Sequence, residues 1–189
     1  HVMAPSLLES GAETQDAWLN SYAGQRKMIQ ESAAIFDQLV TTLQKAYPRP
    51  NLLLIAGDLT KDGEQDSHTY VTKKLAELEN AGIQVYVIPG NHDFGAEGNH
   101  TIFKADGTTE NAEVLSVDNF ASTYANYGYT GSTVDPNGSL SYVAEPVAGL
   151  VLLAIDSHTA AISSATLTWI CGQAEAAHAE GKQVIAMTT

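Results

Sequence analysis

Blocks of apolar and polar residues along the chain predict an order of strands and helices. Residues 51–56 form a short apolar run that stops at a glycine, which is typical of a strand buried on both faces. Residues 83–88 form a second such run, and residues 66–80 between them carry apolar side chains at helical intervals. Strand, helix and strand with short links predict a βαβ unit, in which the strands are parallel and helices cover the sheet.

The segments around this unit predict further elements. Residues 26–46 have helical spacing and end in prolines, so they predict a helix before the first strand. Residues 89–111 are rich in Gly, Asn, Asp and Thr and predict a long functional loop. The rest of the chain predicts, in order, a helix at 116–127, a hairpin of 139–144 with 150–155, a helix at 166–179 and a strand at 183–187.

Composition narrows the class of protein. The chain has 189 residues, 44% of them hydrophobic, which suits one domain with a real core. Its 22 acidic residues against 9 basic ones give a net charge of −13, which argues against a nucleic-acid-binding or anionic-lipid surface. An anionic substrate would therefore need bound cations. No apolar run is long enough to span a membrane.

Cysteine and lysine usage bear on the kind of site and on localisation. Cys171 is the single cysteine, which excludes an internal disulfide and a Cys-rich zinc site. The single cysteine and the sparse lysines favour an exported bacterial enzyme over a cytoplasmic one.

Polar side chains follow both predicted parallel strands at the point where each strand ends. Asp58 comes directly after the first strand, and Asn91, His92 and Asp93 follow the second. Open α/β sheets bind their ligands at this edge. Carboxylate, amide and imidazole donors suit Mn²⁺, Fe, Zn²⁺ or Ni²⁺. For Asp58 alone, a helix N-cap is an equally good interpretation, and the second motif beside it favours a site.

The two motifs, GDLTKDGE at 57–64 and GNHD at 90–93, resemble the calcineurin-like metallophosphoesterase family. The resemblance implies an α/β/β/α sandwich of two mixed sheets flanked by helices, with the site at the carboxyl ends of the central strands. It covers essentially the whole chain, so 1–189 is expected to be one domain. We expect this domain to be truncated at both ends, because the family's first motif, Asp-x-His, would begin before His1 and its last histidine motifs would follow Thr189.

The resemblance also implies roles for individual residues. Asp58 would bridge two divalent cations, Asn91 would bind one of them and His1 the other. His92 would be the general acid at the leaving oxygen, with Asp93 orienting its ring. The implied reaction is hydrolysis of phosphate monoesters or diesters on a phosphorylated small molecule, by a hydroxide that bridges the two metals. For His1 the alternative interpretation is a frayed terminal residue.

Other polar and aromatic residues have simpler expected places. His100, in the long loop, and His158, after a strand, are candidates for contact with the substrate. Ser157 and Asp156 precede His158, but adjacent residues cannot form a nucleophile, base and orienter in line. The remaining expectations are Asp62 and Glu64 solvating a loop, His68 and His178 at the surface, Tyr124, Tyr127 and Tyr129 in a surface cluster, and Trp169 and Cys171 in the core of a helix.

Two rival functions follow from the same residues. A non-catalytic binding or scaffold domain would keep the fold with an incomplete metal centre. The flanking gene sequence would discriminate between the two. The enzyme would be favoured by an Asp two residues before His1 and by a His, followed later by Gly-His-x-His, after Thr189. A nucleotide-binding Rossmann-like domain is disfavoured, because the chain has neither GxGxxG nor GxxxxGK[ST].

Overall fold

The computed structural model of the protein describes residues 1–25, 27–96 and 98–189. In these residues the helices are α1 (Asp16–Tyr22), α2 (Ser32–Lys45), α3 (Gln65–Asn80), α4 (Val117–Thr123) and α5 (Ser164–Ala179). The strands are β1 (Leu52–Ala56), β2 (Gln84–Ile88), β3 (Thr101–Phe103), β4 (Thr109–Asn111), β5 (Thr133–Val134), β6 (Tyr142–Val147), β7 (Leu150–Ile155) and β8 (Gln183–Thr188). None of the helices described is long and apolar enough to cross a membrane.

The predicted βαβ unit is present. β1 and β2 are parallel, with Leu52 opposite Gln84 and Ala56 opposite Ile88, so both strands end at the same edge. α3 connects them and buries Val71, among other apolar residues, over the sheet. β1 differs from its prediction, because its residues are half-buried or exposed. In the described residues β2 is its one sheet neighbour, which leaves the other edge of β1 uncovered by a strand.

The second sheet lies against the first and has the order β5-β6-β7-β8. Its strands are antiparallel except for β7 and β8, which are parallel, so the sheet is mixed. Apolar side chains of both sheets share one core, and the Tyr142 hydroxyl donates to the Val87 carbonyl at 2.8 Å. α5 covers the opposite face of β7, where Ile170 packs with Val151 and Leu153.

These layers confirm the α/β fold class. One detail of the expected sandwich differs, because the first sheet is a parallel pair and not mixed. A small antiparallel sheet, β3 with β4, lies inside the stretch that was predicted as a loop. Residue 97 of that stretch lies outside the described residues, as does residue 26, where the first helix was predicted to begin.

Tyr124, Tyr127 and Tyr129 do not form the expected surface cluster. They are buried in the main core, together with Phe120 of α4, whose ring stacks on Tyr124 at 4.5 Å. The helical pattern continues past α4 into a short irregular turn, and this turn carries the tyrosines against β2 and β6. Their amphipathic rings are therefore covered by the sheets, and each hydroxyl finds a polar partner.

Trp169 and Cys171 of α5 were both expected in the core, and in the structure only Trp169 packs against it. Trp169 is half-buried and packs against the core beneath the helix, whereas Cys171 is exposed. The core expectation for Cys171 is therefore wrong. His178, on the same helix, is exposed as expected.

Candidate metal centre

The two motif loops lie side by side because β1 and β2 are parallel and in register. Gly57 has φ +80° and Asp58 has φ +52°, a left-handed turn that glycine adopts freely and aspartate tolerates. A Cβ atom at Gly90 would collide with the backbone and side chain of Asp58. The close approach of the two loops therefore requires a glycine at position 90.

Asp58, His1 and His92 converge at this edge of the sheet. The Asp58 carboxylate lies 3.5 Å from His1 Nε2, and its other oxygen accepts from the His92 backbone N–H at 3.2 Å. The two imidazole rings are perpendicular, with centroids 4.9 Å apart. Asp58 and His1 keep about 30% of their side-chain surface exposed, so solvent and a ligand can reach them.

Backbone pairing holds His1 in place. The Val2 N–H donates to the Leu59 carbonyl at 3.0 Å, and the Lys61 N–H donates to the Val2 carbonyl at 2.9 Å. This parallel bridge runs beside the loop that carries Asp58. The residue after His1 is therefore paired beside the Asp58 loop, and the role of His1 as a metal ligand stays a prediction.

The donors present fit part of a metal centre. Ligands bound at about 2.1 Å to a tetrahedral cation lie about 3.4 Å apart, which is close to the His1–Asp58 separation. Asn91 adds an amide oxygen in the adjacent loop. Across the described residues, no group of three or more His, Cys, Asp and Glu side chains is placed to hold a metal ion. These donors therefore supply some of the ligands of one cation, and a second cation would need further donors.

Asp93 does not orient His92, so the role expected of it is wrong. Its fully buried carboxylate accepts from the Gly90 N–H at 2.8 Å and from the backbone and hydroxyl of Thr60 at 2.8 and 3.0 Å. Burial raises the pKa of Asp93 to about 6, although these hydrogen bonds oppose the rise. Asp93 thus ties the two motif loops together.

The imidazole of His92 is oriented by Asp62 instead. Asp62 Oδ1 lies 2.7 Å from His92 Nδ1, and Lys27 Nζ lies 3.0 Å from the same nitrogen. Burial alone would raise the pKa of Asp62, but hydrogen bonds from Lys61 and Lys27 bring it below its ordinary value. The solvated loop position expected of Asp62 is wrong, because its side chain is 2% exposed.

A buried lysine completes this polar cluster. Lys61 is fully buried, and its Nζ contacts Asp62 at 2.6 Å, Glu64 at 3.3 Å and the Asn99 carbonyl. It also lies 4.4 Å from the centroid of the Tyr22 ring. Glu64, expected in solvent, is buried as well. Charges in a glycine-containing loop normally suggest a solvated turn, so the sequence carries no clear signal for this cluster.

His68 is also buried, contrary to its expected place at the surface of a helix. Its ring lies beneath the second motif loop, between Tyr124 and the backbone of Asp93. Burial lowers the pKa of His68 to about 4, so the ring is neutral near neutral pH.

The two candidates for substrate contact lie beside residues that adjoin the two motif loops. His158 Nδ1 contacts Asp156 at 2.6 Å, and its ring lies 4.9 Å from that of Phe94, which follows the second motif. With Asp156 it lines a cavity of about 240 Å³. His100 adjoins Asn99, whose carbonyl accepts from Lys61, and its own carbonyl accepts from the Ala112 N–H. Their proposed contact with substrate stays a prediction.

Comparison with known proteins places the chain in a family. No curated protein gives a significant match to it. The family model for calcineurin-like phosphoesterases matches residues 29–158, a range that contains both motif loops and leaves out His1. Members of this family are generally metal-dependent phosphoesterases. Because the match spans more than half of the chain, the protein belongs to the calcineurin-like phosphoesterase family.

Proposed function

We propose that the protein hydrolyses phosphate monoesters or diesters with the help of two divalent cations. The observation that carries this proposal is the convergence of Asp58, His1 and the His92 ring at one accessible edge of the sheet. His1 and Asp58 would hold one cation, Asp58 and Asn91 the other. When bound, the cations would activate water, stabilise negative charge on the phosphoryl group and offset the protein's charge of −13.

His92 would protonate the leaving oxygen. In a protonated ring Nδ1–H donates to Asp62 Oδ1, which also accepts from Lys27 Nζ, so Nε2 is the nitrogen that would face the substrate. Asp62, itself held by Lys61, fixes the orientation of the ring. A general acid that is held within reach of the leaving group lowers the barrier for esters with poor leaving groups.

The direct test of this function is hydrolysis of p-nitrophenyl phosphate and bis(p-nitrophenyl) phosphate with Mn²⁺. We expect turnover by the natural protein and a loss of at least about 100-fold in kcat for Asp58→Asn, because a cation ligand is removed. Asp118→Asn, at an exposed aspartate of α4, is the matched control and should keep full activity. Absence of turnover with every divalent metal tried would refute the proposal.

A second test addresses His92. His92→Gln should slow hydrolysis of phenyl phosphate about tenfold more than hydrolysis of p-nitrophenyl phosphate, because a good leaving group needs less protonation. The ratio of the two rates is the measurement. Equal slowing of both substrates would argue against an acid role and leave His92 as a binding residue.

The rival hypothesis is a binding or scaffold domain with an incomplete centre. It predicts Mn²⁺ or phosphate binding by titration calorimetry without turnover, and elemental analysis would then give fewer than two metal ions per chain. Export from a bacterial cell stays a hypothesis based on composition.

A further inference from the structure

The buried histidine of α3 contacts the motif loop that carries Asn91 and His92. His68 Nε2 lies 3.0 Å from the Asp93 carbonyl, and His68 Nδ1 lies 2.7 Å from the Tyr124 hydroxyl. We propose that His68 and Tyr124 are positioning residues that hold the 90–93 loop in the geometry needed at the metal centre. The catalytic part of this inference rests on the proposed function.

Both the side chain and the backbone carbonyl of Asp93 have hydrogen-bond partners. Its carboxylate accepts from Thr60 and from the Gly90 N–H, and its carbonyl lies against His68. The three anchors lie in the first motif loop, in the second motif loop itself and in α3. Asn91 and His92 directly precede Asp93, so rotation of the Asp93 peptide would move both side chains relative to Asp58.

The contacts of His68 settle which ring nitrogen carries the proton. A backbone carbonyl can only accept a hydrogen bond, so Nε2 must be the donor to Asp93. Nδ1 is then free to accept from the Tyr124 hydroxyl. The neutral ring therefore satisfies both partners, and burial supports this form by lowering the pKa of His68 to about 4.

Packing fixes the orientation of this pair. The Tyr124 ring stacks on Phe120 with centroids 4.5 Å apart, and the His68 ring meets the edge of Phe120 at 6.2 Å. Both His68 and Tyr124 are fully buried. Rings held in this way can keep a loop carbonyl at a fixed place.

An apolar residue at position 68 would fill the same space but would leave the buried Asp93 carbonyl without this donor. Val71 and Leu75, further along the buried face of α3, provide apolar packing only. A polar side chain thus lies where α3 meets the motif loop. This placement distinguishes His68 from a residue that only fills the core.

The test compares three variants with a control. His68→Leu removes the donor at similar size, His68→Gln keeps an amide donor near the position of Nε2, and Tyr124→Phe removes one hydroxyl. Tyr129→Phe is the matched control, because the hydroxyl of this buried tyrosine donates to the Leu140 carbonyl and not to the 90–93 loop. The measurements are amide hydrogen exchange of residues 90–93 without metal, Mn²⁺ affinity by calorimetry, and kcat and KM on p-nitrophenyl phosphate.

We expect His68→Leu to speed exchange in the 90–93 loop at least about tenfold and to lower Mn²⁺ affinity and kcat about 10- to 100-fold with little change in KM. His68→Gln should recover most of each effect, Tyr124→Phe should lie between, and Tyr129→Phe should leave the loop unchanged. Uniform exchange changes, or equal effects of Tyr129→Phe, would overturn the proposal. If the natural protein shows no turnover, the proposed function fails, while exchange and Mn²⁺ affinity still decide the role of His68.

Discussion

The same kind of charge cluster occurs in two regions of the protein with opposite exposure. In the strand-end region, formed by residues 57–64, residues 90–94 and His68, the fully buried Lys61 contacts Asp62 and Glu64. In the α5–β8 region, residues 163–188, Lys182 contacts Glu145 and Glu180 while remaining 28% exposed. One lysine meets two carboxylates in both regions.

The difference in burial decides what each cluster can do. Water screens the exposed charges, so their pairing adds little to stability and holds no fixed geometry. Charges removed from water must keep their partners, since an unpaired buried charge is costly. A region of this second kind can hold the His92 ring at a defined position, and it is where the candidate chemistry lies.

The largest expected effect comes from removing the buried cation. Lys61→Met should lower the free energy of unfolding by about 3–5 kcal/mol, because the buried Glu64 loses its cationic partner and the buried Asp62 loses one of two. Lys182→Met, the matched change at the surface, should cost less than about 1 kcal/mol. Urea denaturation of both variants measures the contrast, and equal losses would show that burial does not separate the two regions.

A smaller effect concerns pH. His68 has a folded-state pKa of about 4 against an ordinary value of 6.5, so between these values only the unfolded chain binds the proton. Stability due to His68 is therefore complete above about pH 6.5 and falls by about 3 kcal/mol as the pH drops to about 4. Urea denaturation of the metal-free protein between pH 4 and 7, beside His68→Gln, measures this difference.

Asp93 changes stability with pH in the opposite direction from His68. Burial raises its pKa to about 6, so its contribution is present below its ordinary pKa and is lost as the pH rises through about 6. The natural protein and the His68→Gln variant both contain Asp93. The difference between their free energies of unfolding at each pH therefore isolates the contribution of His68. Parallel stability curves for the two proteins would contradict the assignment of a neutral, buried His68.

The smallest effect is expected in the α5–β8 region. Ser163 caps α5, since its hydroxyl accepts from the Thr166 N–H at 3.0 Å. Ser163→Ala should cost about 1 kcal/mol in the free energy of unfolding and leave phosphatase activity unchanged. Ser164→Ala, at the first helical residue, is the control and should change stability by less than about 0.5 kcal/mol. A loss of activity in Ser163→Ala would show that this region affects the proposed metal centre.

The strands, the motif loops and the helix of the βαβ unit were predictable from the sequence. The apolar runs before Gly57 and Gly90 located both parallel strands, and the polar residues after them located the two motif loops. Helical spacing predicted α3 but could not tell whether a histidine at the edge of its apolar face is covered. Coverage of His68 depends on Tyr124, which lies 56 residues away along the chain.

Periodicity and local motifs determined the βαβ unit, the parallel strand ends and the position of Asp58 beside the GNHD loop, because these follow from residues close in sequence. Only the tertiary structure decided which carboxylate meets the His92 ring. Asp93 is adjacent to His92 in sequence but turns inward to Thr60, whereas Asp62 reaches Nδ1 from the other loop. The physical reason is burial: a carboxylate removed from water lies where donors satisfy it, and here those donors come from the packed loops and from Lys61.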